Sequence, residues 1–303
     1  MANLDTAIQQ IERQILGKSE AIHLAVCCMV AGGHLLIEDL PGMGKTTLSH
    51  ALANTFGLSF SRVQFTSDIL PADVLGFSTF DPQQQDFSFH PGPVFSQLVL
   101  ADEINRASPK SQSALLEAME EHQVSIDGNT YPLPSPFFVI ATQNPLHHTG
   151  TYPLPESQLD RFLMRLQIGY PQADAEKAML RQSHQPQNRH QPLLTPEKLS
   201  QYSEQSRQIH ASDALLDYIL RLVNFSRQSG QFPNALSPRA SKALLGAARA
   251  WALIQGRDHV LPEDVQQVLP SVCEHRLRDS QTSHYQEKAL SMTLLEHIDP
   301  LAA

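Results

Sequence analysis

The chain has 303 residues, 41% apolar and 17% charged, enough for one large or two modest packed domains and unlike a disordered composition. Lys and Arg number 22 against 31 Asp and Glu, and the net charge of -9 argues against general duplex binding, which needs a basic surface. Three cysteines (Cys27, Cys28, Cys273) are too few for a disulfide framework and suggest a reducing compartment. With no leader-like opening and no unbroken apolar run of spanning length, a cytoplasmic location without membrane insertion is expected.

Leu4, Ile8, Ile11 and Ile15 recur at helical spacing, so the chain should open with an amphipathic helix. A second helix runs to about Ala31 and stops at Gly32-Gly33. Short apolar runs then alternate with helices. Strands are expected at 34–38, 60–65, 97–102, 137–142 and 162–168. Helices are expected at 46–55 and from Ser108-Pro109, with Leu115, Leu116 and Met119 facing inward. Continuous apolar runs separated by helices predict an α/β fold, a mostly parallel sheet covered on both faces. Residues 79–93, rich in Gln, Phe and Pro, fit no regular element. Residues 124–133 carry Asp127-Gly128, a hairpin turn signal. Segment 182–192 reads as a polar linker or loop. Helices follow at 212–226, from Ser237-Pro238 to Gly256, and from Leu261-Pro262. The prediction is therefore a core over 1–172 and an all-helical domain with a short tail over 173–303. The last twenty residues carry no clear signal.

Between the first strand and its helix lies Asp39-Leu40-Pro41-Gly42-Met43-Gly44-Lys45-Thr46-Thr47, the context a phosphate loop requires. Gly42 and Gly44 let backbone amides close around phosphate oxygens, and the next helix presents its positive end. Lys45 supplies a charge for the β- and γ-phosphates, and Thr46 a hydroxyl for Mg2+. Asp39 stands where the motif usually begins with glycine; it either caps the loop or shapes the approach to phosphate. A purely structural turn would not need Lys-Thr. The strand Leu98-Val99-Leu100-Ala101-Asp102 continues into Glu103, and two adjacent carboxylates at a strand end call for a compensating charge. With Mg2+ and phosphate present, Asp102 would serve the metal and Glu103 would polarise the attacking water. Asn144 either orients that water or turns the chain before Pro145. Arg161 lies where a helix meets the last strand. Arg239 lies in a helix's first turn, where the dipole disfavours a cation and an anion is expected nearby; both arginines could instead sit on an ordinary surface.

In order, GxGKT, LADE, ATQN, LDRF and SPRA resemble the AAA+ ATPases. More narrowly, ADEINRASPKSQSALLEAMEE, the following IDG hairpin and ATQNP…GTYPLPESQLDRF look like the MoxR family, over roughly residues 5–280. The resemblance implies an αβα core with a small helical lid, assembled as a homo-oligomeric ring, commonly a hexamer, with ATP between subunits. It implies that Arg161 is an arginine finger reaching a neighbour, that Arg239 is the lid's nucleotide sensor and Asn144 the core's, and that Ile15, Leu16 and Gly17 lie near the adenine. The two inserts would face the pore or a partner. Family members remodel or activate protein clients, such as metalloenzymes and multisubunit complexes, often with a von Willebrand factor A-type partner.

A nucleic-acid motor, a magnesium-chelatase-type subunit and a non-hydrolysing nucleotide switch are the rivals. The acidic charge and the lack of Lys or Arg in residues 124–133 oppose the first, so no nucleic-acid partner is expected. Glu103 opposes the switch. No Asn-Lys-x-Asp segment exists to read guanine. His147, His148, His184, His190, His275, His284 and His297 lack metal-ligand spacing, and the adjacent cysteines read as core packing.

Overall fold

The computed structural model describes residues 3–83, 85–144, 150–182, 191–278 and 289–300. Helices α1 (Leu4–Gln14) and α2 (Ser19–Val30) come first, and Asn3 caps α1 by accepting the Thr6 N–H at 3.0 Å. There follow β1 (His34–Glu38), α3 (Lys45–Thr55), β2 (Phe60–Gln64) and the short α4 (Pro71–Leu75). A hairpin, β3 (Gly76–Asp81) and β4 (Asp86–Pro91), precedes β5 (Leu98–Asp102). Next is α5 (Pro109–Glu121), capped by Ser108, and a second hairpin, β6 (Gln123–Ile126) and β7 (Asn129–Pro132). Then come β8 (Phe138–Gln143), α6 (Glu156–Leu159) and β9 (Phe162–Leu166).

Five of these strands form one parallel sheet in the order β2-β5-β8-β1-β9. Because side chains alternate along a strand, the apolar runs supply two faces at once. Leu35, Ile37, Leu98, Leu100, Ile140 and Met164 face a core shared with α1, α2 and α3. Leu36, Val99, Ala101, Val139, Ala141 and Phe162 face a second core with Leu115, Leu116 and Met119 of α5. The result is the expected αβα sandwich.

After β9 the chain is helical among the described residues: α7 (Ala173–Gln182), α8 (Pro196–Gln208), α9 (Asp213–Gln228), α10 (Pro238–Ile254), α11 (Pro262–Leu277) and α12 (Leu290–His297). The C-terminal helices among these form a helical lid, and α10 packs against both α11 and α2. Arg276 of α11 fixes the lid to the start of β9. Its guanidinium donates to the Asp160 carboxylate (2.6 Å), the Asp160 carbonyl (3.1 Å), the Phe162 carbonyl (2.7 Å) and the Leu163 carbonyl (3.2 Å). Among the described residues no helix is long and apolar enough to cross a membrane.

Two expectations change. Residues 79–93 are not irregular: most belong to the β3–β4 ladder, where Phe80 faces Phe87 and Ser78 faces Phe89. Its base closes only because Gly76 and Gly92 lack side chains; a Cβ on Gly76 would lie 2.4 Å from the His90 carbonyl oxygen. The ladder's aromatics are largely exposed, so no buried face marks it in the sequence. The signal-free end of the chain contains α12, whose Leu294 is fully buried and whose Ser291 N–H donates to Glu274 (2.8 Å). The β6–β7 hairpin forms as expected, with Asp127 and Gly128 at positive φ. Most of the expected linker at 182–192 lies outside the described residues, as do His147, His148, His184, His190 and His284.

His34 begins the central strand and ties three elements together. Its Nδ1 accepts the Val139 N–H (3.0 Å), so the ring hydrogen sits on Nε2, which donates to the Met119 carbonyl (3.2 Å). Burial pushes its pKa from 6.5 down to about 4. The unfolded chain therefore takes up this proton before the folded one does. Stability should be full above pH 6.5 and fall as pH drops toward 4, by on the order of 3 kcal/mol for this group. His275, also buried and shifted the same way, adds to the acid slope. His34→Leu should flatten, without abolishing, the loss of urea stability between pH 6.5 and pH 4.

Candidate nucleotide site

The loop after β1 is shaped to hold an anion. Gly44, at φ 90°, is the N-cap of α3 and no side chain caps the helix. The first helical bond runs from the Leu48 N–H to the Gly44 carbonyl (2.9 Å), so the amides of Lys45, Thr46 and Thr47 lie ahead of it, open at the positive end. Pro41 and Gly42 are exposed, while Met43 and residues 44–47 are half-buried. Lys45 Nζ folds back onto the carbonyls of Asp39 (2.5 Å) and Leu40 (3.2 Å). Burial lowers its pKa, countered by Asp39, Asp102 and Glu103.

Asp39 has a definite place. One carboxylate oxygen accepts the Leu40 N–H (2.8 Å) and the other the Gly169 N–H (2.6 Å), tying the loop to the exit of β9. Lys18 donates to the carbonyls of Ile168 (2.8 Å) and Gly169 (2.6 Å). Leu16 and Gly17 thus reach the same edge of the site. Glu38, the last residue of β1, is buried and bonded by Arg165 (2.7 Å) and Gln143 (2.7 Å). Neither this ion pair nor Arg276 was singled out from the sequence; a charged residue ending an apolar strand was the available signal for Glu38.

β8 lies between β1 and β5, and its Thr142 organises the acidic pair. The fully buried hydroxyl donates to Asp102 Oδ1 (2.6 Å) and accepts the Glu103 N–H (2.9 Å). The other Asp102 oxygen takes Arg62 (2.6 Å). Glu103 sits at φ 56°, a left-handed conformation costly for a residue with a Cβ, and its carboxylate is held by Gln64 (3.1 Å) and Arg106 (3.1 Å). Asn144 follows β8, half-buried, at the same strand ends. The signal for Thr142 in the sequence is slight, a single hydroxyl in an otherwise apolar strand. The donors Thr46 and Asp102 are hard oxygens of the kind Mg2+ takes beside phosphates. Among the described residues no cluster of three or more His, Cys, Asp or Glu forms an all-protein metal cage, and such a shared site needs none.

Arg161 and Arg239 are not at this end of the sheet. Both bond Glu120 near the end of α5: Arg161 at 2.9 Å and Arg239 in a short ion pair. The three line a cleft of about 330 Å³ with His34, the first residue of β1, and Lys242. The phosphate loop follows the last residue of β1, so the length of the strand, roughly 16 Å at ~3.3 Å per residue, separates the two regions. The anion expected near Arg239 is Glu120.

A parallel sheet with an amide-lined loop, a lysine and paired acids at its carboxyl ends, covered by a helical lid, defines an ATP-hydrolysing AAA+ protein. Residues 34–164 match the model of the ATPase family associated with various cellular activities (AAA), and 225–296 match the AAA lid domain. The chain is 44% identical to the uncharacterised protein YeaC of Bacillus subtilis over 90% of its own length and 86% of the relative. It is 40% identical to the chaperone MoxR1 of Mycobacterium tuberculosis, covering 90% of this chain and 75% of that one. A crystal structure of a putative ATPase from Cytophaga hutchinsonii superimposes with a TM-score of 0.88 at 34% identity, covering 98% and 94% of the two chains. The chain belongs to the MoxR family of AAA+ ATPases.

Thr142→Val keeps the volume of the side chain but leaves the Glu103 N–H and an Asp102 oxygen without their partner. It should cost about 1–3 kcal/mol in urea unfolding.

Proposed function

We propose that this ATPase works as a homo-oligomeric ring, with six subunits by family resemblance, and that Mg2+-dependent ATP hydrolysis drives chaperone-like remodelling of a protein client. The clients that the resemblance suggests are metalloenzymes or multisubunit complexes, met with a von Willebrand factor A-type partner. The net charge of -9 favours a protein client over nucleic acid. Residues 1–172 are the nucleotide-binding unit and 173–303 the lid and tail.

The open amides of 45–47 and Lys45 receive the β- and γ-phosphates. Thr46 and Asp102 hold Mg2+, which when bound supplies positive charge to the phosphate oxygens. Leu16 and Gly17 border the adenine. Glu103 accepts the proton of the attacking water, which Asn144 orients. The observation that carries the ring is the placement of Arg161 and Arg239 with Glu120, at the opposite end of β1 from the phosphate loop. There they serve the nucleotide of the adjacent subunit. Arg239 is then a sensor of a neighbour's nucleotide, not of its own.

Glu103→Gln should bind ATP normally while kcat falls by about 100-fold or more, read by equilibrium binding beside phosphate release; unchanged turnover would remove Glu103 from its role. Arg161→Ala and Lys45→Ala proteins, each inactive alone, should regain hydrolysis when mixed. One supplies the intact phosphate loop and the other the arginine, and no recovery on mixing would exclude action between subunits.

A further inference from the structure

Given that Arg161 and Arg239 act on a neighbouring subunit's nucleotide, we infer that Glu120 is the positioning residue that presents them as one unit. The two arginines come from different parts of the chain, Arg161 between α6 and β9 and Arg239 from the first turn of α10. Like charges so close repel each other, and an anion shared between them offsets that repulsion. Glu120 divides its carboxylate between them, Oε2 to Arg161 at 2.9 Å and Oε1 to Arg239. Each arginine makes its closest contact with Glu120 through Nη2. The rest of its donor fork has no other partner among the described residues and is left to meet a phosphate.

The surrounding charge supports the same conclusion. Arg161, Arg239, Lys242 and Arg276 line the cleft against two carboxylates, Glu120 and Asp160. Asp160 is already occupied by Arg276 (2.6 Å) and the Ser237 hydroxyl (3.2 Å). Glu120 alone therefore faces two guanidinium groups and a lysine, a local excess of positive charge in a chain of net charge -9. One carboxylate is enough to align the arginines and too little to neutralise them. Glu120 touches no substrate in this arrangement; it works through the arginines.

Mixed rings test this, because Glu120 matters only on the subunit that donates arginines. Glu120→Gln keeps the side chain's size but removes its charge and turns an amide NH2 toward a guanidinium. By itself it should lower kcat about ten-fold and leave KM for ATP within about two-fold. Lys45→Ala protein also carrying Glu120→Gln should restore at most about a tenth of the activity that Lys45→Ala restores to Arg161→Ala protein. Placed instead on the Arg161→Ala subunit, Glu120→Gln should leave restoration by Lys45→Ala intact. Equal restoration with the substitution on either side overturns the inference, and so does equal loss on both sides, which marks a purely structural residue. If Lys45→Ala and Arg161→Ala proteins fail to complement at all, the reading between subunits falls first and this inference with it.

Discussion

The length of one central strand constrains everything else in this molecule. β1 is five residues long, with the phosphate loop at its carboxyl end and the arginine cleft at its amino end. A parallel sheet puts all its strand ends of one kind on one side, so Lys45, Asp102, Glu103 and Asn144 gather together and cannot also gather the arginines. Inserting β8 between β1 and β5 keeps the acids one strand away from the loop. Thr142 uses that gap: a single hydroxyl fixes both acids relative to the sheet.

Much of this was legible because buried strands and phosphate chemistry both leave short, dense signatures. The five apolar runs gave away the sheet, and GxGKT with LADE gave away its working edge. Boundaries moved by one or two residues. Harder to see were features whose cause lies in contacts between distant segments. The β3–β4 ladder hides its aromatics among glutamines because it has no buried face to impose alternation on the sequence. α12 is tethered by Glu274, across residues no local pattern connects. Arg276 looks like any arginine until its bonds to Asp160 and Phe162 are drawn, on either side of Arg161. The misplaced charge of Arg239 was visible in its helix's first turn, but the identity of its anion was not, since Glu120 lies 119 residues away.

The two hairpins are joined to each other and to the sheet. Phe89 of β4 stacks on Tyr131 of β7 with ring centroids 4.1 Å apart. α5 spans the space between the acids and the arginines: Gln112, in its first turn, donates to the carbonyls of Ile104 (3.2 Å) and Ala107 (3.2 Å), in the turn beyond Glu103. Its far end carries Glu120 and passes through the left-handed His122 directly into β6. A helix of 13 residues is stiff over this distance, so both ends of the sheet and both hairpins share one rigid strut.

All three thiols are entombed. Cys27, Cys28 and Cys273 are fully buried, and desolvation raises the pKa of each, to about 12 for Cys273, so little thiolate exists near neutral pH to react. The native protein is thus a silent background for maleimide chemistry. A single cysteine introduced at the exposed Phe87 would take up a fluorophore selectively, with no need to strip the natural ones from the core and lose their packing.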